Sequence, residues 1–242
     1  MRDTRVYAAL VFVFFTAVCV LSVAPSYNSD DSPETTLAFH TLGIQHPPGY
    51  PLNTLFGKVF TLLPAGGLMF RANIMSVFFS LLAAFFIFLT VRQVSRDEKQ
   101  EAVKFVAGVT AASLYLFSSS PWLQAVSAKG SIYSMNAFLS SACVWALFNA
   151  RRGSRFLYLA AFIFGISLGN HWTSMIAISP GLLLYLVLSK KRYPASALAA
   201  AAGFAALGAS VNIFVFVRSV TGPVYAWGDT RTIKDFLWLI SR

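Results

Sequence analysis

Seven apolar runs separated by polar connections set the pattern of this chain: 6–24, 68–91, 104–120, 131–150, 156–170, 172–189 and 195–217. A helix needs roughly 20 apolar residues to cross a bilayer. The pattern therefore predicts an all-α, polytopic membrane bundle of about seven transmembrane helices, read as one domain over 1–242. The fifth and sixth runs are short and meet at Asn170 and His171, which also suits a helical hairpin whose tip dips into the membrane edge.

The polar interruption at 25–67 has a pattern of its own. Ser32 is placed to cap a short helix with Pro33 at its first position, and Gly43 to end it. Beyond it, Leu52, Leu55, Phe56, Val59, Phe60 and Leu63 recur at helical spacing, with Asn53, Thr54, Lys58 and Thr61 on the other face, until Pro64. Such a helix is expected along the membrane surface, its apolar face in the lipid boundary. Between the two helices, His46-Pro47-Pro48-Gly49-Tyr50-Pro51 is stiff, because each proline fixes its own φ and restrains the residue before it.

Composition agrees with a membrane protein: of 242 residues, 57% are hydrophobic and 12% charged, against about 25% charged in a typical soluble domain. The basic residues orient the bundle. With the N-terminus cytoplasmic, that side collects Arg2, Arg5, Arg92, Arg96, Lys99, Lys104, Arg151, Arg152, Arg155, Lys190, Lys191 and Arg192, out of 19 in all. Dense cytoplasmic Lys and Arg follow the positive-inside rule, and the net charge of +10 then reflects topology and anionic lipid. The first run reads as an uncleaved anchor, because Pro25 follows the cleavage-like Ser22-Val23-Ala24. No basic stripe interleaved with exposed aromatics points to nucleic acid. Cys19 and Cys143 fall inside spans and read as packing residues.

The stretch 30–51 holds Asp30, Asp31 and Glu34 of nine acidic residues, and His40 and His46 of three histidines. On the exterior face, Asp31 and Glu34 sit at a helix start whose partial positive charge favours their ionised form. A carboxylate there can serve as general base toward a hydroxyl. Arg71, Lys129, His171 and Arg218 stand at exterior ends of spans, where they can meet a polar group at the membrane surface. Simple snorkelling to the interface is the other reading of each cation. The spacing of Asp31, Glu34, His40 and His46 matches no compact metal motif, so no cofactor is assigned, with a divalent cation as the alternative.

Three groups of residues carry a resemblance. They are Asp31-Ser32-Pro33-Glu34 with Leu42 to Leu52, Arg71-Ala72-Asn73-Ile74-Met75-Ser76, and a later set: Ile132-Tyr133-Ser134-Met135-Asn136, Gly169-Asn170-His171, and Arg218-Ser219 followed by Pro223 and Trp227-Gly228-Asp229. Together they resemble the DUF2723 family of multi-spanning proteins, which includes a eukaryotic protein O-mannosyltransferase and belongs to the GT-C type of glycosyltransferase. One departure stands out: Ser131 occupies a place where many relatives carry Glu, two residues before Tyr133.

The resemblance implies a GT-C-like fold and an inverting transfer of a sugar, such as mannose, from a polyprenyl-phosphate carrier to an acceptor hydroxyl of a protein or glycan. The transfer would take place on the exterior or periplasmic face of a bacterial inner membrane. It implies Asp31 as base with Glu34 as its partner, and donor or substrate contacts at His46, Tyr50, Arg71, Lys129, His171, Arg218, Trp227 and Asp229. The rival reading is a transporter-like or non-catalytic membrane protein. Charged residues inside spans would mark a translocation path, whereas the mid-span polar residues here are the uncharged Asn136, Ser140, Ser141 and Asn212. The chain is expected to be the N-terminal part of a longer architecture.

Overall fold

The fold hangs on α4 (Leu68–Val94), whose 27 residues contain no Gly or Pro. The computed structural model describes residues 2–26, 31–95, 98–189 and 193–241. Asp30, Arg96, Lys190, Lys191, Arg192, Arg242 and the Arg2 side chain lie outside the described residues. One face of α4 buries Ala72, Met75 and Phe79 against Met135 and Leu139 of α7 (Ser131–Asn149). Another face buries Val77, Ala84 and Phe88 against Phe15 and Cys19 of α1 (Arg2–Ser22) and Ala112 and Leu116 of α5 (Glu101–Phe117). The α4–α7 seam also carries a buried Ser80 Oγ to Ser134 Oγ hydrogen bond of 2.9 Å. Small hydroxyl residues of this kind let helices approach closely in lipid.

Among the described residues, four helical stretches are long and apolar enough to cross a membrane: Thr4–Ser22, Leu68–Val94, Ser131–Arg152 and Ala195–Val220. A fifth arises if α5 and α6 (Ser119–Ala125), bent by 68°, form one broken span. These helices mark an integral membrane protein, but with fewer spans than the seven apolar runs suggest. The difference lies in α8 (Ser154–Ser167) and α9 (Trp172–Leu188), of 14 and 17 residues. At a rise of 1.5 Å per residue they reach about 21 and 26 Å, short of a hydrocarbon core of about 30 Å. The third run ends early as well, because Ser118 is extended and Pro121 sits in the first turn of α6, where a missing N–H is tolerated.

Helix α8 packs closely on α10 (Ala195–Ala209), where a side chain on Gly165 would meet the Ala205 backbone and one on Gly208 the Phe162 carbonyl. A 3-10 turn at Ser210–Asn212 leads into α11 (Ile213–Val220), and an amphipathic α12 (Ile233–Ile240) follows. No strand forms among the described residues; the β-type pairing there is an isolated parallel bridge of Ile44 with Ala226.

The polar loop folds as α2 (Ser32–Thr41) and α3 (Pro51–Thr61), joined through a cis Pro47–Pro48 bond. Two expectations are corrected. Asp31, not Ser32, is the N-cap residue, while Ser32 is fully buried and its Oγ accepts from the Lys129 N–H at 3.3 Å. Leu42, not Gly43, takes the left-handed C-terminal conformation, at φ 53°. Gly43 is needed for another reason: a Cβ there would lie 2.7 Å from the Tyr225 carbonyl oxygen.

Helix α3 leaves apolar Phe56, Val59, Leu62 and Leu63 uncovered at and beyond its end, as an interfacial helix would. Its polar face is turned into the protein. Asn53 and Thr54 are fully buried, and Gln45 Nε2 donates to Thr54 Oγ1 at 3.0 Å. Asn53 Nδ2 donates to Ser131 Oγ at 2.9 Å, so Ser131 helps to anchor the loop on α7.

Candidate functional site

Helix α2 presents its first turn to the chain between α6 and α7, and two acid–base pairs result. Asp31 Oδ2 lies 2.6 Å from Lys129 Nζ. One turn on, Glu34 Oε1 accepts from both the backbone N–H and the Nδ1 of His46, at 2.8 and 3.0 Å. Asp31 is the more open carboxylate, with 41% of its side chain exposed against 16% for Glu34.

The pairing sets the protonation states. The Lys129 ammonium holds the Asp31 carboxyl below the usual carboxylate range. Burial works to raise Glu34, yet its two hydrogen bonds from His46 outweigh burial and hold it low as well. Glu34 in turn raises His46 above the ordinary imidazole range, against a smaller opposing effect of burial. Opposite charges at such distances favour both ionised forms. With Nδ1 committed to Glu34, the other ring nitrogen of His46 meets no hydrogen-bond partner among the described residues.

Aromatic rings wall this cluster. His46 meets Tyr50 and Trp227 edge-on, at centroid distances of 5.3 and 5.9 Å. Tyr50 stacks on His171 at 6.4 Å, and Tyr133 lies 5.7 Å from the same imidazole. Tyr50 holds its place in a left-handed backbone, at φ 43°. A non-glycine residue there stores on the order of 1 kcal/mol, and such strain clusters at functional sites. Burial, then the nearby Tyr133, Asp31 and Glu34, push the Tyr50 phenol up to about 12. Burial lowers His171, whose Nδ1 is also within 2.8 and 2.9 Å of the Thr173 and Ser174 hydroxyls.

The remaining candidates stand elsewhere. Arg71 spends its guanidinium on the α3–α4 turn, donating to the carbonyls of Thr61, Ala65 and Gly66 at 2.9–3.2 Å. Arg218 reaches from α11 to the end of α2, where Nε donates to Leu42 O at 2.7 Å and Nη2 to Thr41 O at 3.0 Å. Asp229 pairs with Arg231 on the surface. The structure thus gathers Asp31, Glu34, His46, Tyr50, Lys129, His171 and Trp227 into one cluster, and joins Arg71, Arg218 and Asp229 to it through no hydrogen bond or ion pair among the described residues.

Tyr225 is a member of the site that the sequence pattern does not single out. Its backbone carbonyl accepts from Ile44 N–H at 3.0 Å, and Trp227 N–H donates to Ile44 O at 3.0 Å. Burial, and then the Glu34 carboxylate, raise its phenol. The one available signal is its place between Pro223 and Trp227, in a stretch that carries part of the family resemblance. His40 stays apart from the cluster, its carbonyl accepting from Lys58 Nζ at 2.6 Å. Among the described residues no three His, Cys, Asp or Glu side chains gather to hold a metal.

Comparison with known proteins bears on this loop directly. The chain is 29% identical over 238 residues to the protein O-mannosyl-transferase TMEM260 of Mus musculus, covering 94% of this chain and 32% of that protein. It is 26% identical over 257 residues to protein O-mannosyl-transferase tmem260 of Dictyostelium discoideum, covering 98% and 30%. The chain thus spans about a third of the length of these curated relatives. No solved structure matches. The kinship to a protein O-mannosyltransferase that the loop motifs suggest is met at this level. The match over residues 31–195 opens on Asp31 and takes in both acid–base pairs, and by it the chain belongs to the family of the protein O-mannosyl-transferase TMEM260 N-terminal domain.

Proposed function

We propose that this chain carries the catalytic loop of a GT-C-type membrane glycosyltransferase. It moves a hexose, mannose by the names of its relatives, from a polyprenyl-phosphate carrier to a protein hydroxyl on the exterior face. The observation that carries the reading is the pair of carboxylates on one helical turn, each held by a basic side chain: Asp31 by Lys129 and Glu34 by His46. In the reaction Asp31, as general base, takes the proton of the acceptor hydroxyl. The acceptor oxygen forms its bond to the anomeric carbon from one face while the bond to the phosphate breaks on the other. The electron pair leaves with the phosphate, and the anomeric centre inverts.

The aromatic rings of Tyr50, Tyr133 and Trp227 suit the C–H face of a pyranose. Lys129 and His46 supply positive charge for the departing phosphate. We further read the helices as part of a wider DUF2723-type GT-C bundle, with α8 and α9 as a pair of shallow spans. The location is taken to be a bacterial inner membrane, with the loop on the periplasmic side. The test is incubation of the purified full-length protein with radiolabelled polyprenyl-phosphate mannose and a membrane or periplasmic extract. Label appearing on protein, with inverted anomeric configuration, supports the reading; no labelled product with any polyprenyl-phosphate sugar overturns it.

A further inference from the structure

Asp31 and Glu34 share a helical turn, yet they face different partners. Glu34 does not bond to Asp31 or Lys129 among the described contacts; its Oε1 takes the backbone N–H and Nδ1 of His46. The two contacts on one oxygen fix both the position and the tautomer of the ring, as a carboxylate does for any oriented histidine. Its other nitrogen meets no hydrogen-bond partner among the described residues, and the ring is braced edge-on by Tyr50 and Trp227. A carboxylate that served the base would not be spent in this way.

Building on the glycosyltransferase reading, we propose that His46 is the donor-side residue of the site, with its Nε2–H hydrogen-bonded to the oxygen of the departing polyprenyl phosphate. Glu34 is its positioning residue rather than a partner of Asp31. The site then divides in two. On one side Asp31 takes the acceptor's proton. On the other, the C–O bond to phosphate breaks, its electron pair goes to the phosphate oxygen, and the His46 imidazolium meets that charge while keeping its own proton.

The charged and titratable groups around His46 favour this state. Glu34 and Asp31 on α2 both stabilise the imidazolium, and Lys129 before α7 opposes it. Tyr225 and Tyr50 stay neutral near pH 7, since their phenols are raised further from it. Because the folded-state His46 is raised by Glu34, donor use is expected to fall as pH rises through that raised value, above the ordinary imidazole range.

The test compares wild-type full-length protein with Glu34→Gln, His46→Gln and Asp31→Asn. It measures kcat and donor KM from pH 5.5 to 9, and binding of dolichyl phosphate in detergent micelles. Glu34→Gln keeps an acceptor for Nδ1–H but loses the charge. It is expected to bind dolichyl phosphate as wild type at pH 5.5, to weaken at least fivefold by pH 8, and to move the alkaline limb of kcat to lower pH. His46→Gln is expected to weaken dolichyl phosphate binding at every pH and to lose the limb, with an unchanged thermal midpoint. Asp31→Asn should bind dolichyl phosphate as wild type does at pH 5.5.

An active wild type whose alkaline limb and dolichyl phosphate affinity are unmoved in both Glu34→Gln and His46→Gln would overturn the assignment. So would uniform loss at all pH values in Glu34→Gln, which would mean that Glu34 only shapes the loop. A wild type inactive with every polyprenyl-phosphate sugar, yet binding dolichyl phosphate through His46, would instead sink the glycosyltransferase reading and spare the phosphate contact.

Discussion

The Lys129 ammonium stands 2.6 Å from the Asp31 carboxylate, across a gap of 98 positions in the chain. That contact joins the first turn of α2 to the chain entering α7, and a second bond between the same segments, Lys129 N–H to Ser32 Oγ, sits behind it. Lys129 Nζ makes its closest approach to Oδ2. In the proposed reaction the other oxygen is the one offered to the acceptor hydroxyl.

Two substitutions separate the roles of this pair. Asp31→Asn keeps size and hydrogen bonding but removes basicity, so turnover of the full-length enzyme is expected to fall by about 10²-fold or more while donor KM changes little. Lys129→Met removes the cation that lowers the Asp31 carboxyl. A carboxyl lowered in the folded state stays ionised, and contributes stability, until pH falls through its folded value. Lys129→Met should therefore move the acid limb of kcat to higher pH, lower the thermal midpoint at neutral pH, and flatten the part of its fall on acidification that Asp31 supplies. A pH–rate profile with an unmoved acid limb in Lys129→Met would show that Asp31 is not the titrating base.

The seating of α3 on α2 depends on Gly57. A Cβ there would lie 2.1 Å from the Phe39 ring, which is fully buried. Overpacking of this kind costs about 1–3 kcal/mol. Gly57→Ala is expected to lower the thermal midpoint and to reduce activity, and adding Phe39→Leu should restore part of both. Equal midpoints for wild type and Gly57→Ala would mean that the two helices are not seated as described.

Much of this arrangement is legible in the order of residues alone, and the departures from it have physical causes. The periodicity of Leu52, Leu55, Phe56 and Val59 places α3, because helical spacing is a local property, but only Phe56 and Val59 of these stay uncovered, while Leu52 packs inward with Phe39. That Asn53 and Thr54 sink into protein depends on Gln45 and on Ser131, the latter 78 positions away, which no local pattern reveals. The acidic helix start is plain in the residue pattern, but its cap falls one residue earlier than that pattern suggests. Asp and Ser both cap helices, and burial of Ser32 against Lys129 decides between them. Hydropathy alone credits α8 and α9 with span length; the turn at Leu168–His171 takes up residues that the apolar runs count as helix.

Orientation in the membrane gives an independent check. With Lys and Arg concentrated in alternate connections, the α3–α4 turn should be exterior and the α4–α5 connection cytoplasmic. Ala65→Cys and Gln100→Cys, both at exposed positions, are placed in a background lacking Cys19 and Cys143. An impermeant thiol reagent added to intact cells is expected to label the first and spare the second. Labelling at position 100 alone would invert the bundle and put the acidic loop in the cytoplasm.

Arg218 separates a phosphate ligand from a structural clamp. Its Nε and Nη2 donate to Leu42 O and Thr41 O, the carbonyls at the end of α2, while Nη1 donates to Thr221 Oγ1 at 3.1 Å. Leu42 is itself left-handed, so the last turn of α2 leans on this guanidinium. Hydrogen bonds to a charged group contribute about 1.5–3 kcal/mol each, and unmade ones leave carbonyls without partners. Arg218→Ala is therefore expected to lower the thermal midpoint and to raise donor KM and acceptor KM together, because the loop that carries both halves of the site loosens. Arg218→Lys should recover only part of the loss, since one ammonium cannot reproduce the fork of the guanidinium. A ligand of the donor phosphate would behave differently: donor KM alone would rise, with the midpoint and acceptor KM unchanged. That second pattern would return Arg218 to the phosphate site and leave the end of α2 held by the Ile44 N–H to Tyr225 O hydrogen bond.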